Sequence, residues 1–286
     1  MKPLPRLHAA AVAAALVAVL AAVPATPAQA GRSCETVPPL AVNVTRALDL
    51  AQRTAERLEA SGAQVVVLAR AGQDLSRWGL RWSHLAFAYR DTRAGAEAKA
   101  GTQADMAVDA RPVWRVVHKL NQCGSAQADL YRQGLGEFFL DDLWDYQAAW
   151  AVPSTEVQQH LLPLLQDDVR VAQLHTAAYS LVAYPWAQTY QQSNQWAIET
   201  LALAEEPGIV QRDQAQAWLR FKGYRPTTLT IGALTRLGAR ISAANVAFDD
   251  HPNEQRFADR IDTVTVDSVF AWLERSRLAG RVQVMR

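Results

Sequence analysis

The sequence lacks most of the short signatures that tie a chain to a chemistry. It has no glycine-rich phosphate loop, no G-x-S-x-G elbow and no H-E-x-x-H helix, which removes the common nucleotide-binding, α/β-hydrolase and metalloprotease readings. Histidines, cysteines and carboxylates nowhere take zinc spacing, and "DDLWDY" lacks the glycine and closing glutamate of a calcium loop. No metal and no cofactor is expected. No unit of 20 to 50 residues recurs, which excludes a solenoid or propeller. Only four lysines stand beside 25 arginines; this is a bias of base composition and carries no function.

Long hydrophobic runs are equally scarce, with one exception at the start. Met1 to His8 carries Lys2 and Arg6, residues 9 to 23 are almost wholly Ala, Val and Leu, and Ala28-Gln29-Ala30 is a small-x-small cleavage site. Residues 1–30 therefore read as a signal peptide. Fifteen apolar residues ended by Pro24 fall short of the roughly 20 that span a bilayer, so no stable membrane insertion is expected after cleavage. The chain is expected to be exported, to the periplasm. The remaining 256 residues hold 27 basic and 28 acidic side chains, a balance with no surplus for nucleic acid or anionic lipid.

Cysteine is limited to Cys34 and Cys123, and in an oxidising compartment a single disulfide between them is expected. In the chain-entropy model a loop of that length stabilises the fold by about 4 to 5 kcal/mol.

What is present points to α+β. Thr45 to Ser61 has helical apolar spacing and stops at Gly62, while "QVVVLAR", "RWSHLAFAYR" and "VWRVVHKLN" have strand composition. The polar, Ala/Gly-rich stretch between the last two reads as a long connection. Helical spacing returns in Glu137–Trp150, Ser154–Leu165, Asp168–Ala178, Asn194–Ala204 and Gln211–Phe221, and "YSLVAY" reads as a further strand. "TLTIGALTRLGARI" holds one more helix, and the end mixes the strand-like "RIDTVTV" with the helical "SVFAWLERS". Strands early and helices later do not make a doubly wound sheet. Residues 31–286 read as one domain, with a weak internal boundary at Pro207-Gly208.

Two histidines lie on the expected strands. Alternation puts His84 with Ala86 and Ala88 on one face, against Leu85, Phe87 and Tyr89, and puts His118 with Trp114 and Val116. If the strands pair, both imidazoles face one helix; the alternative is that each is a satisfied core residue. The densest polar run in an apolar setting is "YQQSNQWAIETLALA", Tyr190 to Ala204. Ser193 or Asn194 is a candidate N-cap, which accounts for one polar residue but not five. A helix N-terminus also favours an anionic nucleophile or oxyanion, so Ser193 with a strand histidine as base is the second reading. A serine gains less there than a cysteine, whose thiol titrates near neutrality. Asp141, Asp142 and Asp145 read as a solvated acidic face.

Several strings, "ARAGQDLSRWGLRWSHLAFAYRD", "WRVVHKLNQCGSAQADLYRQGLGEFFLDDL", "YSLVAYPWAQTYQQSNQW", "NVAFDDHPN" and "RIDTVTVDSVF", resemble domain-of-unknown-function family 2145, a family of exported bacterial proteins without an established activity. A more distant resemblance is to circularly permuted papain-like cell-wall peptidases. It implies an antiparallel sheet packed against helices, with His84 as base, His118 as the orienting residue and Ser193 in the nucleophile position. Ser193 stands where that group has cysteine and Ala86 where it has glycine. The reading is an amide or ester hydrolase acting on cell-envelope material. The alternative is a non-catalytic module in which Asn194, Gln195, the groove beside Trp196 and the loop from Asp91 to Ala110 hold an envelope ligand or protein partner.

Overall fold

A computed structural model describes residues 38–92 and 113–286. In chain order the elements are α1 (Ala41–Ser61), β1 (Val65–Ala71), a 3-10 turn (Ser76–Trp78), β2 (His84–Asp91), β3 (Val113–Asn121), β4 (Ala128–Gly134), α2 (Leu135–Phe139) and β5 (Asp145–Ala151). There follow α3 (Thr155–Leu165), α4 (Asp168–Ala172), α5 (Ser193–Glu205), α6 (Arg212–Phe221), β6 (Thr227–Thr230), α7 (Ala233–Ser242), α8 (Asn253–Phe257), β7 (Arg260–Thr263), α9 (Val266–Arg275) and β8 (Gln283–Met285). The segment of residues 1–30, Cys34 and most of the loop from Asp91 to Ala110 lie outside the described residues.

Six strands form one antiparallel sheet in the order β4-β3-β2-β1-β5-β8, and β6 pairs with β7 separately. The expected α+β class with an antiparallel sheet against helices is the one observed. The sheet is covered on both faces, so β1 is buried along its whole length, the pattern of a central strand. Val65, Val67 and Ala69 of β1 and Leu85, Phe87 and Tyr89 of β2 join one core with Leu161 of α3, Trp196 and Leu201 of α5 and Trp272 of α9. Val66, Leu68, Ala86, Ala88 and Trp150 join the other, with Leu50 and Leu58 of α1 and Phe138 of α2. The small pair Ala86 and Ala88 thus has α1 over it, as the one-sided alternation in β2 suggested. α1 ends where expected, on Gly62 at φ 68°, a conformation without penalty for glycine.

Two expectations fail locally, and one holds in part. Glu137–Trp150 is not one helix: the chain leaves α2 after Phe139, passes Asp142 at φ 28° and enters β5. Within β5, Tyr146, Ala148 and Trp150 face the α1 core and Ala149 and Ala151 the other, so period two was concealed in a run also compatible with 3.6. "YSLVAY" is not a strand, and its Tyr179 and Leu181 amides bond to the carbonyls of Ala126 and Asn245. "TLTIGALTRLGARI" holds the expected helix, α7, preceded by strand β6.

Candidate functional site

The antiparallel register sets Arg70 of β1 opposite His84 of β2. On β3, His118 has the parity of Val116, which pairs Ala88 and Gln133. Arg70, His84, His118 and Gln133 therefore form a row across four strands on the α1 face. The two imidazoles do face one helix, but it is α2. The Phe138 ring lies 6.0 Å from His84 and 5.3 Å from His118, with the Arg70 guanidinium 4.7 Å above it. Arg70 in turn donates to the Phe138 carbonyl and to Asp141.

His84 Nε2 meets His118 Nδ1 at 2.9 Å, and His118 Nε2 meets Gln133 Oε1 at 2.9 Å. With the amide oxygen of Gln133 accepting, His118 carries its proton on Nε2 and accepts on Nδ1 from His84 Nε2–H. His84 Nδ1 is then the basic end of the chain, and it has no hydrogen-bond partner among the described residues. Burial, Arg70 and the neighbouring His118 hold His84 well below the usual imidazole range. Burial first, then Arg70, lowers His118 to about 4. Both rings are neutral at pH 7, which suits a relay of neutral hydrogen bonds and a proton-accepting Nδ1.

Ser193 is elsewhere. α5 crosses β2 and β3 on the opposite face, where the Trp196 ring lies 6.1 Å from Phe87. The Ser193 hydroxyl lies beside the buried phenol of Tyr179, and no hydrogen bond joins it to His84 or His118. The expected nucleophile–base contact is therefore replaced by a structural one: alternation turns His84 away from the helix that Leu85 and Phe87 support. The N-cap reading is corrected too, since the cap position is Gln192 and no side chain caps the helix.

Four side chains of the polar run make hydrogen bonds across the fold. Gln191 accepts from Lys119 at 2.9 Å and from the Thr176 amide at 3.0 Å, and donates to the Leu174 carbonyl and to Glu199. Gln192 donates to Thr263 and to the Val264 carbonyl. Asn194 accepts from the Leu85 amide at 2.9 Å and donates to the Val264 carbonyl at 3.1 Å. Gln195 donates to the Pro185 carbonyl and to Glu199. Twelve of the thirteen residues of α5 are buried, so backbone groups around its start have no water and must find side-chain partners. Trp196 is fully buried in the core between α5 and β2.

At the centre of this network Glu199 receives Arg212 on both carboxylate oxygens, at 2.8 and 3.2 Å, together with Gln191, Gln195 and Gln216. Lys119, on the β3 face opposite His118, also donates to the Thr176 carbonyl. Burial, with the Arg212 charge added, lowers it to about 7.

A model of the family "Uncharacterized protein conserved in bacteria (DUF2145)" matches residues 57–273. The chain belongs to this family. The DUF2145 match takes in the whole histidine row and α5. No curated protein and no solved structure matches the chain.

Sequence reasoning passed over two members of this DUF2145 chain's buried polar set. Gln133 and Arg70 carry no motif, and only strand pairing brings them to the histidines. His251, read as a loop residue, is buried with Nδ1 2.9 Å from Asp250 and Nε2 3.0 Å from the Asp262 carbonyl. Among the described residues no group of three or more His, Cys, Asp or Glu could hold a metal ion, and no helix is long and apolar enough to cross a membrane.

Proposed function

We propose that the chain is an exported cell-envelope protein that binds a ligand or partner and does not use Ser193 for hydrolysis. The observation that supports this is the placement of Ser193: it opens the helix that packs on one sheet face through Trp196 and Phe87, while the histidine pair lies on the other against Phe138. A serine nucleophile works only with an aligned base and an oxyanion site. The papain-like plan enters this reading as a degenerate ancestor. Export rests on the N-terminal charge and hydropathy pattern.

Labelling with a serine-reactive fluorophosphonate tests the reading. Wild type, Ser193→Ala and His84→Ala are expected to show the same absence of specific label. A label present in wild type and lost in both variants restores the hydrolase. The Cys34–Cys123 bridge is tested separately by titrating thiols in denatured, unreduced protein, where two free thiols per chain remove it.

A further inference from the structure

Away from the histidine row, α1 and the edge strand β8 enclose a groove of about 570 Å³, a volume in the range of small-molecule sites. Arg53, Glu56 and Arg57 project from one turn of α1, and Gln283 and Arg286 come from the β8 side. Trp150 of β5, paired with Gln283 and only 2% exposed, also lines it. Its indole Nε1 is buried and has no hydrogen-bond partner, a donor whose neglect costs free energy.

The charges in the groove are unequally satisfied. Arg53 is held by Asp49 at 2.9 Å and donates to the main-chain oxygen of Arg286 at 2.7 Å. Glu56, the one carboxylate side chain in the lining, accepts from Gln52 at 3.1 Å. The guanidinium groups of Arg57 and Arg286 have no ion-pair or hydrogen-bond partner among the described residues. Of the three guanidinium groups, Arg53 is taken up by Asp49 and the main-chain carboxyl of Arg286, so the Arg57 and Arg286 side chains, from two elements, are the cations left to a ligand. A tetrahedral phosphate group takes donors from several directions and matches the forked geometry of arginine.

We propose that the α1–β8 groove binds a phosphate-bearing anion, gripped by Arg57 and Arg286 with Arg53 as a fixed wall and the Trp150 ring at its base. The inference rests on the binding reading above and names its ligand class. The source of the phosphate is either a soluble phosphate compound or a phospholipid headgroup.

The test uses the full mature chain, titrated calorimetrically with inorganic phosphate at low ionic strength and floated with phosphatidylglycerol or phosphatidylcholine vesicles. Wild type is expected to bind phosphate, and the Arg57→Gln/Arg286→Gln double variant to bind about tenfold or more weakly, because two charge-assisted contacts are lost. Phosphate binding without flotation assigns a soluble ligand. Arginine-dependent flotation with phosphatidylglycerol alone assigns a headgroup. Absence of both, or equal binding by wild type and the double variant with melting curves unchanged, overturns the proposal. A Ser193-dependent fluorophosphonate label would sink the binding reading while leaving this titration intact, so the two failures are separable.

Discussion

Two buried polar regions lie back to back across β2 and β3, and they are finished to different degrees. On the α5 face, Lys119, Gln191, Gln195, Glu199 and Arg212 form a network in which the central carboxylate and cation are paired several times over. On the α2 face, Gln133, His118 and His84 form a single file that ends on an unbonded His84 Nδ1. The dense region is the structural one, and the sparse region keeps an atom free for chemistry. Polar density in a sequence therefore measures how much backbone and charge has to be satisfied, which differs from how much reactivity is on offer.

The largest effect expected to separate the regions comes from removing Glu199. Glu199→Ala leaves Arg212 buried and unpaired beside three amide side chains, a loss of about 3 to 5 kcal/mol in urea unfolding. His84→Ala, measured the same way, removes one neutral hydrogen bond and a partly replaceable ring, and is expected to cost about 1 to 3 kcal/mol. Equal losses would end the distinction drawn here.

The pH dependence of stability sharpens it further. Each basic group has a folded pKa below its unfolded one, so the unfolded chain binds more protons in the window between them and stability rises with pH there. For His118 the window runs from about 4 to the ordinary 6.5, and stability falls as pH drops through it. For Lys119 it runs from about 7 to the ordinary 10.5, and stability rises on the alkaline side. Urea midpoints followed across pH are expected to show a shallower acid slope in His118→Gln, the rest being kept by His84, and a reduced alkaline slope in Lys119→Met, each variant leaving the other slope in place.

Smaller effects are expected at the helix start. Asn194→Ala exposes the Leu85 N–H to a dry environment without an acceptor, and a loss of about 1 to 3 kcal/mol is expected by thermal or urea unfolding. Ser193→Ala removes a hydroxyl beside the Tyr179 phenol and is expected to cost less, about 0.5 kcal/mol. A Ser193→Ala effect as large as that of Asn194→Ala would show that the serine does more than sit beside the phenol.

Much of this fold was legible locally. The β-branched run of β1, the alternation in β2 and β3 and the glycine after α1 each fixed an element and its faces. The pairing of His84 with His118 followed from the same alternation. What local reading missed was which helix covers which face, because that depends on contacts between residues more than a hundred positions apart. β5 was misread for a related reason: "DYQAAW" satisfies both periods, and only its position between β1 and β8 decides. One signal was present and unused. "WAIETLALA" has no polar stripe, the mark of a helix surrounded on all sides, and such a helix has to bring its own hydrogen-bonding partners at its start.

The β2–β3 register runs from Asp91–Val113 to Phe87–Val117, and beyond it the Leu85 amide is received by the side chain of Asn194. An asparagine on a helix thus does the work of a neighbouring strand, and α5 is stitched into the sheet's own ladder. Sliding that helix by one residue, about 1.5 Å, would unpick the stitch and leave the last rungs beside His84 free to close on each other. The strand that carries His84 is thus held from its other face by a helix side chain, one residue along at Leu85.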